Sequence, residues 1–419
     1  MSAEVLHLSS VVGSPLLGPS GDRIGRVEDL IVRVRGGAHP PITGLVASVG
    51  GRRLYVPISL VSRIGPSGVE LEGETLNLRR FERRPGELLL ARDLSARHLI
   101  NLVGPRLIRA NEIELACVNG AWEVVGVDPS GRGVLRRLLG RRLARRIGPK
   151  SLVDWASIEP FVAHVPSART RIPYRKLARL RPAQIADLVE AASHEEGEEI
   201  IEAVGQDREL EADVFEELDP EHQREFLSSR SDAEAARLLA RMAPDDAADL
   251  IADLDQERRL PLLEALPAPQ QAKVRALLSY NPETAGGLMS PDFLLLPEST
   301  TVAAALDALR ASPIAPEALG TVYAADEGGH LAGTASAVRL LKAPPGATLA
   351  EVAERDPITV RADADLHAIV RKMADFNLSS VPVVDEAGSM LGVVTVDDVL
   401  ELLLPTGWRR DFGMSAPEE

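Results

Sequence analysis

The chain has a single cysteine, Cys117, in 419 residues. This rules out a disulfide framework and a thiolate zinc site, and Cys117 reads as a small buried hydrophobe. Phe, Trp and Tyr make up only 3% of the sequence, which argues against binding single strands by base stacking. The histidines (His7, His39, His98, His164, His194, His222, His330 and His367) are scattered singly. Metal-type histidine pairing, a Gly-rich phosphate loop and a nucleophile motif are all missing, so no enzyme is expected. No apolar run approaches the roughly 18 residues of a membrane span, and the N-terminus lacks the basic start of a signal peptide. The expectation is a soluble cytoplasmic chain with no transmembrane segment.

The net negative charge is confined to one place. Residues 183–277 hold 25 Asp/Glu against 9 Lys/Arg, a net −16, whereas the remainder is close to neutral at +1. The same region repeats. From Leu218 the chain falls into blocks of twelve, with Leu218, Met242 and Leu266 twenty-four residues apart. Each block has an early helix-start residue: Pro220, Ser231, Pro244, Asp255 or Pro267. Apolar pairs come late in the first four blocks: Phe226-Leu227, Leu238-Leu239, Leu250-Ile251 and Leu262-Leu263. Helices of about two turns cannot bury such faces alone, so they must stack into an all-α superhelical solenoid.

Residues 1–170 read as short strands punctuated by Gly and Pro: 26–35, 42–49, 53–58 and 68–71. Strands at this spacing suggest small β-barrels. A weak internal repeat relates residues 12–29 to 88–115, and 54–61 to 152–158. Gly13, Gly18, Ile24, Gly25, Val27 and Asp29 resemble the PRC-barrel family pattern, while the second copy lacks the glycines. The resemblance implies a PRC-like module over 1–84 and a divergent one over 85–170. The second contains a basic insert, 132–150, with eight basic and no acidic residues. Arg136, Arg137, Arg141, Arg142, Arg145 and Arg146 form its electrostatic patch. Three partners fit it: an anionic lipid surface, which would make the protein peripheral at the membrane, RNA, or an acidic protein face, the chain's own solenoid included. A solvated loop fits the same residues.

Within the solenoid, Asp245, Asp246, Asp249 and Asp253 recur at helical spacings and repel unless bridged. Carboxylate oxygens are the ligands that Mg²⁺ prefers, although acidic first turns also favour helix starts. Residues 242–254, followed by Tyr280-Asn-Pro-Glu-Thr-Ala-Gly-Gly-Leu-Met-Ser-Pro291, resemble the cytosolic N-domain of MgtE-type magnesium transporters and its junction to the next domain. The resemblance spans about 175–405, as an N-domain-like solenoid (175–283) and the domain pair after it.

Residues 284–405 hold two copies of a β-α-β-β-α unit and resemble a tandem pair of CBS domains, an α/β module. In that family Gly392, Thr395 and Asp398, with Thr359, match a nucleotide-binding pattern, so an adenine nucleotide is a candidate ligand. The first copy has Arg339 where the carboxylate belongs. Asp397 and Asp398 are alternatively placed to share Mg²⁺ with the solenoid. The family resemblance further implies a homodimer through the CBS pair. No membrane-domain sequence follows residue 405, and 406–419 reads as a tail.

Together these readings imply a multi-domain regulatory protein that senses Mg²⁺ at the solenoid–CBS interface and is linked to magnesium transport. Its partner would be a membrane transporter or another protein. An RNA- or ribosome-associated adaptor, with the CBS module structural, is the alternative.

Overall fold

A computed structural model describes residues 5–33, 38–65, 67–72, 79–131, 152–161, 176–314 and 318–404. The arginine patch from Arg136 to Arg146 and the 406–419 tail lie outside the described residues. The chain divides into two compact units, Met1–Leu210 and Glu211–Glu419.

The first copy of the N-terminal repeat supplies β1 (Val5–His7), β2 (Pro15–Leu17), β3 (Arg23–Arg33) and β4 (Ile42–Val49). It continues with β5 (Arg52–Pro57), β6 (Val61–Gly65), β7 (Gly68–Leu71) and β8 (Arg79–Arg80). The second copy supplies β9 (Glu87–Leu89), β10 (His98–Asn101), β11 (Arg106–Arg109) and β12 (Glu112–Val118). After it come β13 (Ala121–Asp128), β14 (Val153–Asp154) and β15 (Ile158–Pro160). The repeat is visible in the structure. The 3₁₀ turn Ile58–Leu60 sits between β5 and β6, and Trp155–Ser157 sits likewise between β14 and β15.

The two copies exchange their first strands. β1 pairs with β12, Leu6 opposite Leu115, while β9 pairs with β3, Leu88 opposite Val32. A single core fills the exchange, with Leu6, Leu8 and Val11 among the same buried residues as Leu115, Val127 and Trp155. Two closed barrels are expected from the sequence, yet among the described residues no barrel closes. The eleven-residue β3 gives its start to β2 and its end to β9. The sheet therefore runs open from β6 through β7, β2, β3, β4 and β5 to β8. Cys117 is half-buried, not buried, because β12 runs out to the exposed Asn119-Gly120 turn.

Buried acids fasten this exchange. Asp29 on β3 accepts the N–H groups of Ala91 and Arg92, which open the helical turn Leu90–Leu94 of the other copy. Glu112 on β12 accepts the N–H and hydroxyl of Ser9 in the turn Leu8–Val11. First-turn N–H groups have no intrahelical partner, so each acid caps a helix supplied by the opposite copy. Burial pushes the Asp29 carboxyl up to about 6, against the pull of its three backbone hydrogen bonds. Helices α1 (Pro182–Ala191) and α2 (His194–Val204) complete this unit, and Glu196 of α2 meets His98 of β10 at 3.3 Å.

Helix α3 (Arg208–Glu216) straddles the division between the units. The solenoid continues as α4 (Pro220–Ser228), α5 (Asp232–Leu239), α6 (Pro244–Asp253), α7 (Gln256–Ala265) and α8 (Ala268–Leu277). Their first residues are twelve apart throughout, the period read in the sequence. Each helix packs on the next but one, α4 on α6, α5 on α7 and α6 on α8, which is why related positions recur every twenty-four residues. The late apolar pairs, Phe226-Leu227 to Leu262-Leu263, are all buried. Caps follow the early signals: Asp219 accepts from His222 N–H at 2.9 Å, and Ser231 with Glu234 forms a capping box.

The short α9 (Ala285–Leu288) leads into two copies of one unit. The first has β16 (Leu294–Pro297), α10 (Val302–Ala311), β17 (Thr321–Ala325), β18 (Leu331–Ser336) and α11 (Ala337–Lys342). Between the copies lie α12 (Leu349–Val352) and β19 (Glu354–Arg355). The second has β20 (Val360–Arg361), α13 (Leu366–Phe376), β21 (Ser380–Val384), β22 (Met390–Thr395) and α14 (Val396–Leu403). Both copies pair their first two strands parallel and the next antiparallel. No helix among the described residues is long and apolar enough to cross a membrane.

Asp29→Ala removes a buried acceptor and leaves the Ala91 and Arg92 N–H groups unpaired. Thermal or urea unfolding is expected to show a loss of about 3 kcal/mol. A loss below about 1 kcal/mol would show that the cap does not hold the exchange.

Candidate metal centre

The site is built at the start of α6. Pro244 occupies the first helical position, so Asp245 and Asp246 fall in the first turn, where the helix dipole favours negative charge. Glu216, at the end of α3, is drawn in by the α6 backbone: its Oε1 accepts the N–H of Ala243 at 2.6 Å. Asp398, in the first turn of α14, stands close enough to raise the charge cost of both Asp245 and Asp246. The Asp398 carboxylate itself accepts the Thr395 hydroxyl at 2.6 Å and the Thr395 N–H at 3.1 Å. The second unit therefore gathers Glu216, Asp245, Asp246 and Asp398 from three helices far apart in sequence.

Electrostatically this is an unfavourable assembly. Among the described residues, none of these four forms an ion pair. Burial, then the charges of Asp245, Glu216, Asp398 and Asp249, drives the Asp246 carboxyl well above the ordinary carboxylate range. Burial is also the main force pushing Asp245 up to about 7, with Asp398 and Asp249 adding to it. Glu216 is likewise pushed to about 7, by burial first, against the pull of the Ala243 hydrogen bond. Asp398 is raised by burial and by Asp397, with the Thr395 bonds opposing. Among the described residues, the carboxyl oxygen Asp245 Oδ1 is buried with no hydrogen-bond partner.

The sequence-predicted ligands separate into two groups. Asp245 and Asp246 are in the half-buried cluster. Asp249 lies at its exposed margin, its carboxyl pushed to about 6 by burial and then by Asp253. Asp253 and Asp397 are exposed and contribute only their charge to a neighbour. Of the Asp397–Asp398 pair it is Asp398 that turns toward the solenoid. Glu216 was not among the predicted ligands. It precedes the regular period, and only the fold brings it to the Ala243 backbone.

Mg²⁺ fits this cluster in charge, in oxygen chemistry and in the orphaned Asp245 Oδ1. Among the described residues no three acidic or histidine side chains converge on one ion position. That is compatible with Mg²⁺, which keeps several waters and takes only one or two carboxylates.

The nucleotide pattern is also laid out. Thr359 immediately precedes β20, and Gly392 and Thr395 lie on β22. The order β20-β21-β22 sets the outer strands two spacings apart, roughly 9.6 Å. Gly392 has a packing reason of its own: a Cβ there would lie 2.6 Å from Met289 Cγ and 2.7 Å from the Ser290 carbonyl. In the first copy Arg339 is paired with Glu354.

These carboxyls give a signed pH expectation. Their folded pKa values exceed the usual value near 4, so the folded state holds protons that the unfolded chain has lost. Metal-free stability therefore decreases as pH rises through about 4 to 7 and is lowest above that window. Asp246→Asn is expected to stabilise the metal-free protein by about 1–3 kcal/mol at pH 8 and by little at pH 5. An equal effect of the substitution at both pH values in urea unfolding would contradict this.

Comparison with known proteins agrees with the fold of the solenoid and the domain pair after it. Residues 180–283 match the MgtE intracellular N domain family, and residues 349–405 match the CBS domain family. The chain is 35% identical over 195 residues to a magnesium transporter MgtE of Thermus thermophilus, covering 46% of this chain and 43% of that one. An MgtE of Bacillus subtilis is 26% identical over 192 residues, with the same two shares. The chain thus spans less than half the length of these curated relatives. The crystal structure of the cytosolic domain of the Mg²⁺ channel MgtE in complex with ATP matches with a TM-score of 0.51 and 31% identity. That match covers 54% of this chain and 92% of the other. The soluble part of a magnesium transporter shares the fold at a TM-score of 0.50 and 24% identity, covering 55% and 90%. Residues 180–283 are therefore an MgtE intracellular N domain, and together with the CBS pair that follows they belong with the cytosolic region of MgtE-type magnesium transporters.

Proposed function

We propose that this chain is a non-enzymatic regulatory protein that senses Mg²⁺ between its solenoid and its second CBS domain, and that it acts in magnesium transport or homeostasis. One observation supports this most strongly: among the described residues, Glu216, Asp245 and Asp246 are desolvated against Asp398 with no paired cation, and Asp245 Oδ1 has no hydrogen-bond partner. A bound divalent cation supplies the missing positive charge. The protein's part is to hold the carboxylates where they repel without the ion. Glu216 is fixed by the Ala243 N–H, Asp245 and Asp246 by the first turn of α6, and Asp398 by Thr395. Without the cation, this repulsion favours separation of α6 from α14, and neutralisation favours their closure. The output partner on this reading is a membrane transporter or another protein that distinguishes the two states.

An adenine nucleotide is the second proposed ligand, at Thr359, Gly392, Thr395 and Asp398. The ATP complex of the related MgtE cytosolic domain supports it. Asp398 belongs to both proposed sites. The CBS pair is further proposed to form a homodimer. Its helices expose Leu341 and Phe376, at 68% and 55%, together with Leu400, Leu402 and Leu403.

Calorimetric titration with Mg²⁺ tests the sensor reading. Binding at millimolar Mg²⁺ or tighter is expected, weakened at least tenfold by Glu216→Gln or Asp246→Asn. No heat of binding at those concentrations would rule it out. Sedimentation analysis is expected to show a dimer that Phe376→Glu with Leu400→Glu converts to monomer. A monomeric wild-type chain at tens of micromolar would remove the dimer.

A further inference from the structure

The β-strands of the first unit turn acids inward and arginines outward. Among the described residues of 5–161, arginines and acids are equal in number, so charge cancels in the sequence. Yet acids from Asp29 to Glu159 are buried, and no described arginine is. The arginines gather at one edge. β5 and β8 are the last two strands of the open sheet, paired with Leu54 opposite Arg80 and Tyr55 opposite Arg79. Side chains alternate along a strand, so Arg53, Tyr55, Arg79 and Phe81 share one face, and Arg52 and Arg80 the other. The Tyr55 and Phe81 rings pack against Ile31, Val46 and Leu89. Two guanidiniums lie over these rings in turn. Arg84 is 5.1 Å from the Tyr55 centroid, and Arg53 is 5.7 Å from that of Phe81. Arg53 is also paired with Glu28 at 2.6 Å. Arg52, Arg79, Arg80 and Arg84 are exposed and, among the described residues, have no acidic partner. The single acid within this stretch, Glu82, is exposed.

We infer that this arginine edge is a docking surface for a membrane carrying anionic lipid headgroups. Like charges gathered on two neighbouring strands repel, and an anionic surface relieves them. Of the polyanions that could do so, single-stranded nucleic acid fits worst. It needs free ring faces for its bases, and both rings here are already covered by arginine. A bilayer needs no such platform, only cations that stand clear of the protein on flexible stems. It is also the surface near which the proposed output partner, a membrane transporter, would be met. The choice of a bilayer over duplex RNA rests on that reading. Each basic residue close to an anionic surface strengthens attachment roughly fivefold, so the edge provides a reversible foothold and no insertion.

The test is flotation of the full chain with vesicles of phosphatidylcholine, alone or mixed equally with phosphatidylglycerol. EDTA is present throughout, so the proposed Mg²⁺ site takes no part. Binding is expected to the mixed vesicles only, weakening as salt is raised. Arg52→Gln combined with Arg79→Gln and Arg80→Gln is expected to weaken it about a hundredfold. Urea unfolding of that triple variant should match wild type, since all three side chains are exposed. Arg53 and Arg84 stay in place because they cover the rings. A second variant neutralises Arg136, Arg137, Arg141 and Arg142 of the basic insert. Full vesicle binding by the edge variant, with loss in the insert variant, overturns the inference. So does a wild-type chain that binds both vesicles equally or neither, or one that duplex RNA draws off the mixed vesicles. Any of these results leaves the Mg²⁺ reading standing, and a chain that fails to bind Mg²⁺ can still pass this test.

Discussion

Like charges that have lost their water constrain the second unit more than any other interaction. Four carboxyls, Glu216, Asp245, Asp246 and Asp398, meet where burial weakens solvation, and among the described residues no cation pairs with them. Moving a carboxylate out of water costs several kcal/mol unless it is paired, bridged or protonated. Apolar packing of the solenoid supports the arrangement. The twelve-residue stacking places α6 on α8 and α4, so the first turn of α6 cannot withdraw from the cluster without unpacking Leu250 and Ile251. The residual strain is thereby stored in the relation between α6 and α14. A divalent ion or a proton can release it.

The first unit uses buried acids in the opposite way. Asp29, Glu87, Asp93 and Glu112 are more fully buried than the half-buried acids of the cluster, but each is satisfied, by backbone N–H groups, an arginine or a serine. There the acids join two copies of a repeat into one core. These four acids have their partners built in, whereas Asp245 keeps a buried oxygen that has none among the described residues.

Local order was legible in the sequence wherever it was periodic. The Pro, Ser and Asp residues that open each block gave the starts of α4 to α8, and the apolar pairs gave the buried face. The β-α-β-β-α copies were legible for the same reason, since strand and helix lengths are written in the pattern. Pairing between distant strands was not. Nothing local in Val5–His7 says that its partner is β12 and not a strand of its own copy, and this swap is what prevents separate barrels. The acid cluster was half legible. Asp245 and Asp246 stand out by spacing, but spacing alone marks Asp249 and Asp253 equally. Which carboxylates turn inward depends on where α3 and α14 lie, and that placed Glu216 and Asp398 in the cluster and left Asp397 outside.

On the proposed sensor reading, burial leaves Glu216 and Asp245 partly protonated near neutral pH, and Mg²⁺ displaces the protons that remain. Its most direct test is the number of protons released per Mg²⁺ bound, obtained from calorimetry in buffers of different ionisation heat across pH 6 to 9. Substantial release is expected near pH 6.5, falling above about pH 8.5, where Glu216 and Asp245 are already ionised. Mg²⁺ binding with no proton release at pH 6.5 would contradict it.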